Sequence, residues 1–104
     1  MNKKTQKKLE RGGWKVGDVQ EFLNLSEEEM KLIEIRIVLG KFLKKRREKN
    51  GYTQMQLARK IRSSQSRIAK MENGNNNVTI DSLLKSLLYL KTPINEICKT
   101  VAKV

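Results

Sequence analysis

Several residue types that carry chemistry in other proteins are scarce or missing here. The 104 residues include no His, one Cys, one Pro, one Trp, two Tyr and two Phe. Without His and with a single Cys, the chain cannot build its own disulfide, a Cys/His zinc site or a His-based catalytic triad. The sequence also contains no Walker-type Gly-Lys loop and no nucleophile near a plausible base. We therefore expect no catalytic residue, no metal and no cofactor, and predict that the chain is not an enzyme.

Long hydrophobic runs are missing as well. No apolar run approaches the roughly 20 residues that are needed to cross a bilayer. The basic first residues lead into no apolar stretch of the kind found in a signal peptide. A lone Cys fits a reducing compartment. These observations predict a cytoplasmic protein with no membrane partner.

Positive charge is abundant and unevenly distributed. The chain has 23 Lys and Arg against 11 Asp and Glu, for a net charge of +12. Residues 41–74 hold eleven bases and two acids, whereas residues 26–40 hold two bases and four acids. A block of charge within a segment of helical apolar spacing indicates a binding face for a polyanion more than a device for solubility.

The first 25 residues differ in composition from the rest. Residues 1–11 form a flexible, basic tail with almost nothing to bury. An apolar arm follows, and its large side chains are Trp14, Val16, Val19, Phe22 and Leu23. The arm is too short to form a core, so it must dock on its own domain or on a partner, and both alternatives stay open. We predict a folded domain over residues 26–104.

Helical spacing and capping residues predict an all-α domain of five helices. The first helix is expected from Glu27 to about Lys49 behind a Ser26 cap, with Gly40 kinking or splitting it. Asn50-Gly51 ends this helix. The remaining four helices are expected to begin at Thr53-Gln54, Ser64, Thr79 and Thr92-Pro93.

Apolar residues surround most of the first half of the first helix. One stripe is expected to face the core, namely Leu32, Ile35, Leu39, Phe42 and Leu43. Met30, Ile33 and Ile37 then need a second cover, because burying each contributes about 1.5–3 kcal/mol. That cover is the apolar arm, a second copy of the chain or another protein.

The last helix leaves two alternatives open. Ile94, Ile97 and Val101 either extend the core or form the seam of a dimer. Cys98 is expected to be a small core residue rather than a redox site.

Residues 53–71 predict two short helices joined by a tight turn, which is the helix-turn-helix arrangement. Ala58 lies where the two helices cross, and Ile68 and Met71 anchor the second helix from beneath. The outer residues of that helix are Gln65, Ser66, Arg67, Ala69 and Lys70. Most of them carry hydrogen-bonding side chains that suit base edges and phosphates.

The sequence resembles the Xre/Cro/cI family of DNA-binding domains over about residues 38–101. The matching segments are Leu43–Arg47, Gly51–Gln54, Leu57-Ala58, Ser64–Ile68, Met71–Gly74 and Leu83–Leu90. The resemblance implies a five-helix, lambda-repressor-like fold that places the second helix of the motif in the major groove of double-stranded DNA.

The resemblance also implies roles for individual residues. The implied base readers are Gln65, Ser66, Arg67 and Lys70. The phosphate contacts that the resemblance implies are Gln54, Asn73, Asn75 and Asn77, and we add Arg62 and Ser64 at the turn before the second helix of the motif. Arg47 and Glu72 match an ion pair that ties the first helix to the end of the third.

Arg62 departs from the family pattern, which usually has Gly at this position of the turn. If φ stays positive there, Arg costs roughly 1–2 kcal/mol. Either the turn is remodelled or a phosphate contact by Arg62 offsets the strain.

Two functions fit these features. The first is a homodimeric repressor or activator that reads a two-fold operator. The second is an antitoxin, because residues 13–28 resemble the leader of HigA-like antitoxins. That resemblance implies a small, basic toxin partner of the RelE/HigB type and autorepression of the shared operon. A third reading is an adaptor with this fold that does not bind DNA, and the charge of residues 41–74 argues against it.

Overall fold

The computed structural model describes residues 25–104, which form five α-helices and no strand. In chain order the helices are α1 (Glu27–Lys49), α2 (Gln54–Lys60), α3 (Gln65–Glu72), α4 (Ile80–Tyr89) and α5 (Ile94–Val101). The predicted all-α, five-helix architecture is confirmed. The basic tail and the arm residues Trp14, Val16, Val19, Phe22 and Leu23 lie outside the described residues. None of the described helices is long and apolar enough to cross a membrane.

Side-chain hydroxyls set the starts of the first four helices. Each hydroxyl accepts a hydrogen bond of 3.1–3.2 Å from the backbone N–H three residues later, and the caps are Ser26, Thr53, Ser64 and Thr79. These bonds satisfy backbone donors that a helix leaves without an internal partner. At Thr53 the bond is reciprocal, because its own N–H donates to Gln56 Oε1 at 2.9 Å. α5 follows Pro93 without a side-chain cap.

α1 is one continuous helix, so the predicted break at Gly40 is wrong. Gly40 is buried where α1 crosses the end of α3. A Cβ added at Gly40 would overlap the carbonyl oxygen of Met71 and lie 2.9 Å from that of Glu72. The glycine therefore serves the close approach of two helix backbones.

The core lies between α1 and the four shorter helices. Leu39 and Leu43 of α1 are fully buried together with Leu57 of α2, Ile68 of α3 and Leu83 of α4. α1 packs against α3, α4 and α5, and α2 packs against α3. α3 is thus held from two sides.

The predicted stripe of α1 faces the core except at its first residue, since Leu39 and Leu43 are buried and Ile35 and Phe42 pack against the core. Leu32 is 41% exposed, whereas Met30 and Ile37 are buried. The loop between α3 and α4 covers Ile37, since a Cβ added at Gly74 would lie 2.9 Å from Ile37 Cα. Met30 and Ile37 are therefore not free to bind a partner in this conformation, and only Ile33 of the three is half-buried.

α5 divides between core and surface. Ile97 is buried and Val101 packs against the core, whereas Ile94 is 61% exposed. Cys98 is exposed, so its predicted place in the core is wrong. Ile97 and Val101 are four residues apart, so they lie on the same side of α5, and that side faces the core. Cys98 lies on a different side of the helix.

Candidate nucleic-acid interface

The turn between α2 and α3 keeps the conformation that favours glycine. Arg62 has a φ of 56°, and the Ser63 N–H donates to the Ala58 carbonyl at 2.7 Å. The turn is therefore not remodelled around Arg62. A non-glycine residue in this region costs roughly 1–2 kcal/mol.

A buried ion pair anchors the end of α3. Arg47 Nε donates to Glu72 Oε2 at 2.6 Å, and Arg47 Nη2 donates to Glu72 Oε1 at 3.1 Å. Arg47 Nη1 also donates to the Tyr52 carbonyl at 2.8 Å. The hydrogen bonds with Glu72 raise the pKa of Arg47 above its ordinary value. α1, the segment before α2 and the end of α3 are joined in one network.

The first residue of α2 belongs to the same network. Gln54 Nε2 donates to Glu72 Oε1 at 3.0 Å. The side-chain amide of Gln54 is therefore already engaged inside the protein. A phosphate contact by Gln54 has to use its backbone N–H or replace the bond to Glu72.

One side of α3 is buried against the domain and the other side is exposed. Ile68, Met71 and Glu72 are buried on one side of the helix. At about 100° per residue, Ser66 and Lys70 lie on the opposite side, and both are exposed. Gln65 is also exposed as the first residue of the helix, although it lies only about 20° around the axis from Glu72. We call Gln65, Ser66 and Lys70 the open face of α3.

Arg67 is placed apart from the open face. Its Nη2 donates to the Ser82 hydroxyl at the start of α4, at 3.1 Å. The guanidinium thus lies toward α4 rather than beside Lys70. The predicted base contact of Arg67 would have to use its other N–H donors or replace this bond.

The predicted phosphate contacts fall at the two ends of α3. Arg62 and Ser64 precede the helix, and both are exposed. Asn73 follows it and is exposed, as is Asn77 in the next loop. A hydrogen bond within the loop between α3 and α4 stabilises it, because Asn75 Oδ1 accepts from the Asn77 N–H at 2.8 Å.

Sequence reasoning missed two cations near α3. Lys60 at the end of α2 and Lys85 of α4 line a cleft together with Arg62 and Arg67. The sequence does carry an indication for Lys85, because its spacing of four residues from Tyr89 predicts that both lie on one side of α4. Within residues 25–104, no group of three or more His, Cys, Asp or Glu side chains is placed to hold a metal ion.

Comparison with known protein families gives one match. The family model described as "Helix-turn-helix" matches residues 43–97, which is just over half of the chain and includes all of α2, α3 and α4. No curated protein and no solved structure matches the sequence. Proteins of this family bind DNA and regulate transcription. The chain belongs to the Xre/cI-type helix-turn-helix family of DNA-binding transcriptional regulators.

Proposed function

We propose that this regulator recognises a specific DNA sequence by laying α3 in the major groove. The observation that carries the proposal is the open face of α3, where Gln65, Ser66 and Lys70 are exposed on a helix whose opposite side is buried. A helix held this firmly presents its outer side chains in a fixed direction. The major groove is wide enough to admit one α-helix.

The chemistry of the open face suits base edges. A Gln side chain pairs with both N6 and N7 of adenine, a Lys donates to O6 and N7 of guanine, and a Ser hydroxyl serves either base. Gln65 and Lys70 therefore provide the stronger discrimination, about 1–3 kcal/mol for each well-placed pair.

Contacts to the DNA backbone would set the register. Arg62 and Ser64 lie at one end of α3, and Gln54 and Asn73 lie at the other. Groups at both ends of the helix can meet the two strands that border a groove. We further propose that two copies bind a two-fold operator, with the exposed Ile94 as part of the contact between them.

The test is selection of preferred sites from random duplexes, followed by titration of the selected and scrambled duplexes. The variant Gln65→Ala/Lys70→Ala should keep its helical circular dichroism and lose about tenfold or more of its preference. The matched control Asn95→Ala/Lys99→Ala removes one amide and one ammonium from exposed positions of α5. An unchanged ratio between selected and scrambled duplexes in the α3 variant would remove the assignment of the open face.

An antitoxin role is the second candidate function. The first turn of α1 exposes Glu27, Glu28 and Glu29, and Leu32 lies exposed one turn further on. An acidic end beside an exposed apolar side chain is complementary to a small, basic protein. The resemblance of residues 13–28 to antitoxin leaders supports the same proposal, with a RelE/HigB-type toxin as the partner and autorepression as the regulation.

Expression of the neighbouring reading frame tests this role. Growth arrest by that product alone, with rescue and a stable complex on co-expression, would support the antitoxin. The variant Glu27→Gln/Glu28→Gln/Glu29→Gln should then weaken the complex, whereas Lys44→Gln/Lys45→Gln should not. Absence of both toxicity and a complex would leave a stand-alone repressor, which is the alternative.

A further inference from the structure

A cleft of 690 Å³ lies between the turn before α3, α3 itself and α4. Four cationic residues line it, namely Lys60, Arg62, Arg67 and Lys85, and the Lys60 ammonium lies 4.9 Å from the centroid of the Tyr52 ring. None of the described residues around the cleft is acidic. Small-molecule sites have volumes of about 300–1,000 Å³, so the cleft has the size of a site for a small ligand.

The charges in the cleft are not neutralised by the residues that surround it. Like charges gathered in one concave space repel each other, and an anion bound among them relieves that repulsion. Arg67 is suited to hold a phosphate, because a guanidinium carries five N–H donors and one of them is directed to Ser82. Lys85 is exposed on the adjacent turn of α4 and adds a point charge.

One wall of the cleft is aromatic. Tyr89 lines it and is 46% exposed, while Met71 contributes apolar surface. A smaller cleft of 330 Å³ shares Tyr89 and Lys60, so the ring borders both spaces. Exposed aromatic rings stack on nucleobases whatever the identity of the base.

We propose that this cleft binds a nucleoside phosphate, with the phosphate held by Arg62, Arg67 and Lys85 and the base stacked on Tyr89. The site lies beside the open face of α3, and it shares Arg62 with the proposed contacts to the DNA backbone. Occupancy holds Arg67 and the start of α3 in place, so the ligand changes operator affinity. That consequence rests on the proposed function, whereas the binding itself does not.

The binding test uses the full chain without DNA in isothermal titration calorimetry at physiological salt. The probes are adenosine monophosphate, inorganic phosphate and adenosine. The variants are Lys85→Glu and Tyr89→Leu. The matched control is Lys99→Glu, which makes the same charge change at an exposed position of α5.

We expect saturable binding of one nucleotide per chain. Lys85→Glu should weaken it about tenfold or more, whereas Lys99→Glu should change it less than about twofold. Tyr89→Leu should weaken nucleotide binding and leave phosphate binding unchanged. If thermal unfolding shows that Lys85→Glu is not folded, Lys85→Gln takes its place with the same expected direction.

Three results would overturn the proposal. No heat with the nucleotide is the first, and equal weakening by Lys85→Glu and Lys99→Glu is the second, since that pattern reports the net charge alone. The third is that Lys85→Glu weakens binding of unrelated duplex DNA while the nucleotide does not bind, which would assign these cations to the DNA backbone. If the nucleotide does not bind but operator selection is normal, the cleft proposal fails and the proposed function stands. If the nucleotide binds but no operator is selected, the proposed function fails and the cleft proposal stands.

Discussion

Loss of the Glu72 carboxylate should be one of the most damaging single changes in this domain. Arg47 is only 8% exposed, and Glu72 accepts two of its hydrogen bonds and one from Gln54. Removing one partner of a buried ion pair costs about 3–5 kcal/mol, because the other charge stays buried without compensation. A domain of roughly 80 residues has a total stability of about 4–12 kcal/mol. Glu72→Ala therefore removes a large share of the free energy of unfolding.

A second ion pair of α1 supplies the control. Arg46 Nη1 lies 3.5 Å from Glu96 Oε2, and the Glu96 side chain is 45% exposed. Exposed pairs contribute about 0–1 kcal/mol, so Glu96→Ala should change stability little. Both variants lose one carboxylate that pairs with an arginine of α1, and their net charges are equal.

Urea unfolding followed by helical circular dichroism measures both variants. The midpoint of Glu72→Ala should fall well below that of Glu96→Ala at a similar slope. The double variant Arg47→Met/Glu72→Leu should recover much of the loss, since it removes both charges. Equal midpoints for Glu72→Ala and Glu96→Ala would refute the reasoning that burial determines the value of the pair.

Three further predictions concern the packing of α3 and its contact with DNA. Gly40→Ala should lower the thermal midpoint by an amount equivalent to about 1–3 kcal/mol, because its Cβ meets the Met71 carbonyl, and an unchanged midpoint would contradict the close approach. Arg62→Gly should raise the thermal midpoint by an amount equivalent to about 0.5–1 kcal/mol, because the relief of backbone strain exceeds the entropic cost of glycine. The same variant should bind DNA more weakly. A lower midpoint would mean that no strain was relieved. DNA affinity should fall steeply between low and physiological salt, with a slope of about −0.9 per phosphate contacted, and a flat titration would exclude phosphate contacts.

Local chemistry explains what could be predicted from the sequence. Ser26, Thr53, Ser64 and Thr79 each cap a helix through a bond that spans three residues, so the starts of α1 to α4 follow from short segments. The five-helix fold follows from these caps, from the apolar spacing and from the resemblance.

Contacts between distant segments explain what could not be predicted. The spacing of α1 predicts Leu32 in the core because the apolar residues of this helix point in nearly every direction, whereas its contacts with α3, α4 and α5 decide which side is covered. Gly40 resembled a helix break for the same reason, since its partner lies about thirty residues away in α3. The direction of Arg67 depends on Ser82 of α4, which no spacing within α3 indicates.

The atoms that attach α3 to the domain are not those of its exposed side chains. Backbone carbonyls against Gly40, the side chains of Ile68 and Met71, and the Glu72 carboxylate fix its position. Gln65, Ser66 and Lys70 take no part in that attachment within the described chain. New side chains at these three positions should therefore leave the helix in place, and under the proposed function they would change the target sequence independently of stability.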